Sequence, residues 1–231
     1  MLTLWALALA AAAAGPPWQM IAPGAEHLRL DEADLHVELL RFDLRKYRAE
    51  VVVMGADRPQ TAASLREESA AAAAINGGFF DEKWHSLGLR IAAGKTIVGL
   101  RPRVDWGVLV VRAGRAQIVH SREFRGDPSI EQAVQVGPRL LVGGQALKLK
   151  PQAARRTAVA LDREGRSLTL VAVDAAIDAQ RLADALARLG FDAALMFDGG
   201  PSTQLSAAIG DLRLEVRGGY AVPDALVVRP R

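Results

Sequence analysis

The chain of 231 residues contains no cysteine, which excludes disulfides, thiolate catalysis, cysteine-ligated zinc and a lipid-modified N-terminal cysteine. Histidine is also scarce, and its four positions show neither an i,i+4 pair nor the spacing of a zinc site. Basic residues form no run, since 29 lysines and arginines are scattered among 26 acids. A net charge of +3 spread in this way lacks the clustered patch of a nucleic-acid-binding protein, so we expect no nucleic-acid partner.

The apolar segment at residues 1–14 is too short to span a membrane. It is typical of the apolar core of a secretory signal, with small residues Ala12 and Ala14 ahead of Gly15. It lacks a positively charged start, and a buried N-terminal helix is the alternative, although two prolines follow Gly15. We therefore predict a signal peptide at residues 1–14, a lead-in at 15–34 and one domain at 35–231. This organisation predicts export to the periplasm or beyond, without stable membrane insertion.

The sequence also lacks the Walker and Rossmann fingerprints of nucleotide-binding folds. Ser202 follows Gly-Gly-Pro, which differs from the Gly-x-Ser-x-Gly pattern of a nucleophile elbow. The composition is 50% hydrophobic and 24% charged, as in ordinary globular proteins, and the length suits one domain with a sizeable core.

Hydrophobic periodicity predicts an α+β fold, with one domain of mixed β-sheets, two main helices and one βαβ crossover near the C-terminus. The first helix begins at the N-cap Thr61, and the second runs from Asp178 to Leu189 and stops at Gly190. A hairpin turn is predicted at Ala113 and Gly114. The strands predicted from periodicity are residues 35–44, 51–54, 88–92, 106–111, 116–120, 132–136, 140–142, 156–162, 167–174 and 192–197.

The most informative segment is a glycine turn that follows the apolar run 193–197. Such a run is typical of a buried strand, which ends where glycine and proline intervene. Glycine has no Cβ, so its backbone N–H groups can approach a ligand closely. An acid, bare amides and hydroxyls suit a polar or anionic substrate, whereas a plain Asx-type turn is the alternative. The residues of this turn are Asp198, Gly199, Gly200, Pro201, Ser202 and Thr203.

Another glycine turn, Asn76-Gly77-Gly78, ends the apolar run 70–75. Because it comes earlier in the chain, we call it the first turn and residues 198–203 the second turn. Asn-Gly usually marks a hairpin, but the two phenylalanines that follow at 79–80 are unusual for a turn in solvent. Asn76 can donate and accept hydrogen bonds toward a sugar hydroxyl or a phosphate oxygen, or it is simply a turn residue. Trp84, close by in the sequence, is a candidate for stacking on a sugar ring.

Two carboxylates follow predicted strands that a helix connects. Asp174 ends the strand that begins at Ser167, and Asp198 follows the strand at 192–197. A strand–helix–strand crossover makes the two strands parallel, and ligands bind outside the carboxyl ends of such strands. Carboxylates one or two strand spacings apart match the distances used in glycoside hydrolysis. Asp174 as a cap of the next turn is the alternative.

Four segments occur in an order that resembles the phosphodiester glycosidase family. They are Asn-Gly-Gly-Phe-Phe at 76–80, Gly-Pro-Arg-Leu-Leu at 137–141, Arg-Thr-Ala-Val-Ala at 156–160 and Asp-Gly-Gly-Pro-Ser-Thr at 198–203. The resemblance covers residues 35–228. The best-known member of this family removes N-acetylglucosamine from a phosphodiester to uncover mannose 6-phosphate. One departure is Pro201, which stands where the family commonly has a third glycine.

The resemblance implies an arginine that binds phosphate, and a guanidinium does this with two parallel hydrogen bonds. Neighbouring side chains of a strand point to opposite faces, so only one of Arg155 and Arg156 can enter the site. The resemblance favours Arg156, and Arg139 is a second candidate; a surface ion pair is the alternative for either. The resemblance also places Asn76 at a strand end, so we predict a buried strand at 70–74 although its alanines favour helix.

We therefore predict a hydrolase that cleaves the glycosidic bond of a sugar-1-phosphodiester. Asp198 and Asp174 are the predicted catalytic residues, acting as acid, base or nucleophile. One carboxylate could instead hold Mg²⁺ or Ca²⁺, which prefer oxygen ligands. The alternatives are an envelope module that binds glycan or peptidoglycan without catalysis, and a metal-dependent phosphodiesterase. The predicted substrate-binding residues are Asn76, Gly77, Gly78, Arg139, Arg156, Thr157, Gly199, Gly200, Ser202 and Thr203.

Overall fold

The computed structural model describes residues 18–33 and 35–231, so the predicted signal peptide at 1–14 lies outside the described residues. The described residues form eighteen strands, two α-helices and one short 3₁₀ helix. The helices are α1 (Ala62–Glu68) and α2 (Ala179–Arg188), and the 3₁₀ helix is Gly200–Ser202. The strands are β1 (Gln19–Ala22), β2 (Ala25–Glu32), β3 (Leu35–Asp43), β4 (Tyr47–Val53), β5 (Ala73–Asn76), β6 (Arg90–Ala92), β7 (Lys95–Val98), β8 (Gly107–Arg112), β9 (Arg115–His120), β10 (Gln132–Val136), β11 (Arg139–Val142), β12 (Gln145–Ala146), β13 (Ala153–Leu161), β14 (Ser167–Asp178), β15 (Ala193–Met196), β16 (Leu205–Ile209), β17 (Leu212–Val216) and β18 (Asp224–Pro230).

Three sheets make up the fold. The largest has eight strands in the order β1-β2-β3-β14-β13-β15-β11-β12. Two five-stranded sheets have the orders β7-β6-β10-β8-β9 and β17-β16-β5-β18-β4. The predicted α+β class is therefore confirmed, and strands contribute far more of the fold than the two helices do.

The main hydrophobic core lies where the inner faces of all three sheets meet. Phe42 and Phe197 reach it from the large sheet, Val134 from the second sheet and Leu226 from the third. The outer face of the large sheet is covered by α2, which buries Leu182 and neighbouring side chains. Because strand side chains alternate between faces, the strands β2, β3, β13, β14 and β15 each supply side chains to both cores.

The predicted crossover near the C-terminus is present. Strands β14 and β15 each pair antiparallel with β13, which lies between them, so they run parallel to one another and α2 connects them. The predicted end of the first strand at Asp174 is wrong, because β14 continues to Asp178 and pairs there with Ala153. Asp174 therefore lies within a strand, while Asp198 follows the end of one.

Local signals placed the helix ends correctly. Thr61 caps α1, and its side chain accepts a hydrogen bond of 3.1 Å from the Ser64 N–H. Gly190 follows the end of α2 with a φ of 81°, a conformation that glycine adopts without strain. Asp178 is the N-cap residue of α2, but its side chain accepts from Gln152 N instead of capping the helix.

The alanine-rich run at 70–74 required the largest revision within the predicted elements. The predicted strand exists, but it begins at Ala73, because α1 ends at Glu68 and Ala70 turns the chain with a φ of 49°. The strand predicted at 88–92 is likewise shorter and begins at Arg90. Strands β1 and β2, within the predicted lead-in, join the large sheet next to β3. The three strands after Ser202 that complete the third sheet had not been predicted.

Candidate active site

Asn76 joins the two glycine turns. It ends β5, is fully buried, and its Nδ2 donates to the Asp198 carbonyl at 2.8 Å. Its Oδ1 accepts from Thr157 Oγ1 at 2.7 Å and from Gln204 N at 3.1 Å. The Asp198 N–H in turn donates to the Gly77 carbonyl at 3.3 Å. These contacts bring together the first, third and fourth of the four segments, but they occupy the Asn76 amide inside the protein.

Asp198 is the carboxylate at the centre of this group. Its Oδ1 accepts from Gly199 N at 3.0 Å, and its Oδ2 accepts from Ser202 Oγ at 2.6 Å. Burial raises the pKa of Asp198 above its usual value, and this outweighs the two hydrogen bonds, which favour the charged form. The negative charge of Asp224 adds to the increase, and Arg90 opposes it. The result is a partly buried carboxyl that keeps its proton to a higher pH than an exposed aspartate does.

A buried ion pair supports the first glycine turn. Arg90 and Asp224 are 0% and 1% exposed, and Arg90 Nε lies 3.1 Å from Asp224 Oδ1. The same oxygen accepts from Gly78 N at 2.9 Å, and the backbone carbonyl of Asp224 accepts from Gly77 N at 2.8 Å. Ser86 Oγ donates to Oδ2. Asp224 thus holds both amides of the turn, although the sequence analysis did not identify it.

The glycines of the two turns serve different purposes. A Cβ on Gly77 would lie 1.7 Å from Asp224 Oδ1, and one on Gly78 would lie 2.3 Å from Arg90 Nη2. These glycines are therefore required by the ion pair, and their amides face Asp224. Gly200 has a φ of 60°, and an added Cβ there would have no heavy atom within 4 Å. Open space at Gly200 is consistent with access for a ligand.

Three aromatic rings pack beside the second turn. Phe80 and Trp84 are stacked with centroids 5.1 Å apart, and Tyr220 meets both rings edge-on. Trp84 has a φ of 64°, which is strained for a residue with a side chain. The Tyr220 hydroxyl lies 3.2 Å from Ser202 Oγ. The cluster therefore adjoins the hydroxyl that is bonded to Asp198.

Arg156 lies on the opposite face of β13 from Thr157. It is 3% exposed, and its guanidinium donates to the carbonyls of Ile177, at 3.1 Å, and Gln152. Burial lowers the pKa of Arg156. The structure therefore does not bring its side chain to the Asp198 group, since Thr157 occupies the face that points there. Met196 is a further neighbour, with its Sδ 3.7 Å from Nη1.

Arg155, and not Arg156, adjoins the second turn. An added Cβ on Gly199 would lie 2.7 Å from the Arg155 carbonyl. The Arg155 guanidinium forms an ion pair with Asp174 and donates to the Arg217 carbonyl at 2.7 Å. The Asp174 side chain is 65% exposed, so this carboxylate is in solvent while Asp198 is partly buried.

Two further predicted residues have other surroundings. Thr203 is fully buried, and its hydroxyl has no hydrogen-bond partner among the described residues. Arg139 begins β11, and its Cγ would lie 2.9 Å from a Cβ added to Gly107. Gln204, which the sequence analysis missed, donates through Nε2 to the Ser202 and Tyr220 carbonyls at 3.3 and 3.2 Å.

Two cavities lie away from the Asp198 group. One of 520 Å³ is lined by residues such as Arg45 and Glu164, and one of 420 Å³ by residues such as Arg115 and Asp192. None of the residues that line them belongs to the Asp198 group. Within residues 18–33 and 35–231, no group of three or more histidine or acidic side chains is arranged to hold a metal ion. In the same part of the chain, no helix is long and apolar enough to cross a membrane.

The family model for phosphodiester glycosidases matches residues 69–229, which include Asn76, Thr157 and Asp198. The chain belongs to the phosphodiester glycosidase family. The family therefore covers both glycine turns, the aromatic cluster and the Arg90–Asp224 ion pair. The resemblance noted in the sequence is confirmed at the level of the family.

Individual relatives are distant. The protein YigE of Escherichia coli, which is uncharacterised, is 28% identical over 149 residues, 59% of each chain, so the chain matches less than two thirds of that relative. The catalytic domain of zebrafish N-acetylglucosamine-1-phosphodiester α-N-acetylglucosaminidase, auto-inhibited by its pro-peptide, has a TM-score of 0.72 at 17% identity. That match covers 91% of this chain and 85% of the zebrafish one. A Burkholderia pseudomallei protein assigned as exported has a TM-score of 0.64 at 14% identity, covering 85% and 74%. At these identities the structures show a shared fold.

Proposed function

We propose that the protein hydrolyses the glycosidic bond between a sugar and a phosphodiester-linked group. The observation that carries the proposal is the partly buried Asp198, a carboxyl with a raised pKa and two hydrogen bonds in the same turn as the open Gly200. Membership of the phosphodiester glycosidase family supports the substrate class.

Asp198 acts as a general base toward water. Water adds its oxygen to the anomeric carbon while the bond from that carbon to the phosphate oxygen breaks, and the bonding electrons leave with the phosphate. The proton of the water passes to Asp198. Because a phosphate is already a good leaving group, the reaction depends less on a general acid than ordinary glycoside hydrolysis does.

The neighbouring residues position this carboxylate and the substrate. Ser202 and Gly199 each donate to one of its oxygens, so both carboxylate oxygens have a fixed orientation. Asn76 and Thr157 fix the backbone on which Asp198 sits. We assign phosphate binding to Arg155, since its backbone carbonyl adjoins Gly199 and its guanidinium is partly exposed, while the Arg156 guanidinium is bonded to backbone on the other face of β13.

Asp174 is the second carboxylate in this proposal. It is exposed, pairs with Arg155 and lies two strands from β15 in the large sheet, which corresponds to roughly 10 Å between strand axes. In this role the Asp174 carboxylate holds the Arg155 guanidinium in place until the substrate phosphate replaces Asp174 as its partner. A substitution at Asp174 is thus expected to affect substrate binding more than the chemical step.

The test is Asp198→Asn, which keeps the size of the side chain and removes its charge. Hydrolysis of methyl diesters of glucose, mannose and N-acetylglucosamine 1-phosphates, in both anomers, should fall on the order of 10²-fold or more. Asp211→Asn is the matched control, because Asp211 is exposed in the turn between β16 and β17. Undiminished hydrolysis by Asp198→Asn would contradict the proposal.

A glycan-binding module without catalysis is the second candidate, and the aromatic cluster favours it. Trp84 and Tyr220 pack against each other beside the second turn. Aromatic rings of this kind can pack on the apolar face of a sugar in a lectin as well as in an enzyme. This candidate predicts no hydrolysis by the parent protein and an Asp198→Asn variant that changes only affinity for the same diesters. A metal-dependent phosphodiesterase differs from both, because removal of divalent cations by a chelator would abolish its activity.

We also propose that the protein is exported. The support is the signal-like sequence at residues 1–14 and the fold shared with the Burkholderia protein. N-terminal sequencing of protein recovered from cells should find a start near Gly15. Recovery of the chain from the cytosol with Met1 intact would contradict export.

A further inference from the structure

Each turnover of the proposed reaction leaves a proton on the partly exposed Asp198, and its hydrogen-bond partners decide which protein groups can take that proton. Oδ1 faces Gly199 N, a backbone donor that cannot accept a proton. Oδ2 faces Ser202 Oγ at 2.6 Å, and a hydroxyl can both accept and donate. Among the described residues, Ser202 supplies the one hydroxyl that is hydrogen-bonded to this carboxyl. Any path through the protein from Oδ2 therefore begins at Ser202.

Ser202 itself is 0% exposed, so it cannot pass the proton directly to solvent. Its second hydroxyl neighbour is Tyr220, with Oη at 3.2 Å, and Tyr220 is 41% exposed. A serine hydroxyl has one proton. When Ser202 donates to Asp198, the hydrogen bond between Ser202 and Tyr220 must be donated by Tyr220, and the reverse order holds when Asp198 is protonated.

We propose that Ser202 and Tyr220 form a proton path between Asp198 and solvent. This inference rests on the proposed function of Asp198. The protonated carboxyl donates to Ser202 Oγ, Ser202 passes its own proton to Tyr220 Oη, and Tyr220 releases its proton to water. Three O–H bonds break and three form, so the two hydroxyls are regenerated and Asp198 returns to its charged form.

The surrounding structure keeps the path in position. Trp84 and Phe80 both meet the Tyr220 ring edge-on, at interplanar angles of 87°. Gln204 Nε2 holds the Tyr220 carbonyl, and Gly219 N donates to the Pro201 carbonyl at 2.7 Å. The loop that carries Tyr220 is thus fastened to the turn that carries Ser202.

Other charges near Asp198 act on it without offering a path. Asp224 and Arg90 face it electrostatically, but they are 1% and 0% exposed and are engaged with each other. Their hydrogen bonds lead to Gly78 N, Ser86 Oγ and the Gln135 carbonyl, none of which is hydrogen-bonded to Ser202. Burial chiefly raises the pKa of Asp198, and these two charges modify it in opposite directions, whereas the path sets how fast the proton leaves.

The test is Tyr220→Phe, which removes the hydroxyl and keeps the ring that packs on Trp84. At low buffer concentration we expect kcat for the best methyl sugar-1-phosphodiester of the panel to fall about 10-fold, the lower part of a general acid–base effect, with KM unchanged. Imidazole should restore kcat, because a small mobile base replaces the lost path. Tyr47→Phe is the matched control, since the other tyrosine is buried against Phe42. A kcat equal to that of the parent, or one that imidazole does not restore, would overturn the path.

A second measurement does not require turnover. After a pH jump, infrared spectroscopy follows the carboxyl band that disappears in Asp198→Asn. Protonation of this group should be slower in Tyr220→Phe than in the parent or in Tyr47→Phe, and equal rates would overturn the path. A parent protein without hydrolytic activity would instead contradict the proposed function, so the two failures are distinguishable.

Discussion

The two glycine turns have nearly the same sequence pattern but opposite surroundings. At Gly77 and Gly78 the missing side chains make room for a buried ion pair, and both backbone amides are bonded to Asp224. At Gly200 the missing side chain borders open space. The first turn is thus a packing element, and the second carries the partly buried carboxyl of Asp198. A pair of glycines after a strand indicates that the backbone closely approaches another group. The sequence does not say whether that group belongs to the protein or to a ligand.

Gly77→Ala should have the largest effect on this comparison. The added Cβ would overlap Asp224 Oδ1 and force the carboxylate away from Arg90. Breaking a buried ion pair in this way costs about 3–5 kcal/mol of folding free energy. We expect a protein that is largely unfolded or recovered in low yield. Urea unfolding, compared with Gly200→Ala, measures the difference. Equal stability of the two variants would contradict the distinction between the turns.

Asp224→Asn should destabilise the protein by about 3–5 kcal/mol, because it leaves the Arg90 charge buried without its partner. The amide keeps the shape of the side chain, so the loss comes from charge and not from a cavity. Unfolding in urea at pH 7 provides the measurement. The double variant Asp224→Asn with Arg90→Met serves as a control, since it should recover part of the stability. A single variant as stable as the parent would show that the first turn does not depend on the pair.

Arg155→Lys should raise KM about 10-fold with little change in kcat, because lysine keeps the charge but loses the planar fork that binds phosphate. Arg156→Lys is the matched comparison at the next position. It should leave KM unchanged and lower the free energy of unfolding, since Arg156 is bonded to backbone carbonyls beneath α2. If KM rose only in Arg156→Lys, the phosphate-binding residue would be Arg156, as the family resemblance favours.

Gly200→Ala should destabilise the protein by only about 1–2 kcal/mol, the cost of a left-handed conformation for a residue with a Cβ. The added methyl group meets no protein atom within 4 Å, so no packing is lost. We expect a folded protein with altered KM, because the methyl group enters open space at the turn that carries Asp198. Thermal unfolding and kinetics together provide the check, and an unchanged KM would place the substrate elsewhere.

The smallest effect concerns pH and stability. The pKa of Asp198 is raised by folding, so the protein binds this proton more tightly when folded. Its contribution to stability is therefore fully present below the ordinary carboxyl range and is lost as the pH rises through the raised value. The stability of Asp198→Asn relative to the parent should increase across this interval. A relative stability that is constant between pH 3 and pH 8 would contradict the raised pKa.

Features set by neighbouring residues could be predicted from the sequence. The cap at Thr61, the stop at Gly190 and the hairpin at Ala113 depend on local conformation, and the structure has all three. The end of β5 at Asn76 and the parallel arrangement of β14 and β15 also agree with the prediction. These follow from strand length, turn residues and the geometry of a crossover.

The remaining features depend on contacts between distant parts of the chain. The sequence predicted that Arg155 and Arg156 face opposite ways, but which face meets Asn76 is decided by the packing of the sheets. Asp224 was missed although it stands, like Asp198, at one end of an apolar run, because its partner Arg90 lies more than 130 residues earlier. No local pattern indicates that two such residues meet.

Asn76, Gln204 and Asp224 connect residues that are far apart during synthesis. The Ala62 N–H at the start of α1 donates to Gln204 Oε1 across 142 positions, and Gly78 N donates to Asp224 across 146. A ribosome must therefore complete nearly the whole chain before either amide has its partner. Until then these hydrogen bonds cannot form, so a nascent chain cannot assemble the site before β18 is made. Any activity of the Asp198 site should therefore appear only after β18 has been synthesised.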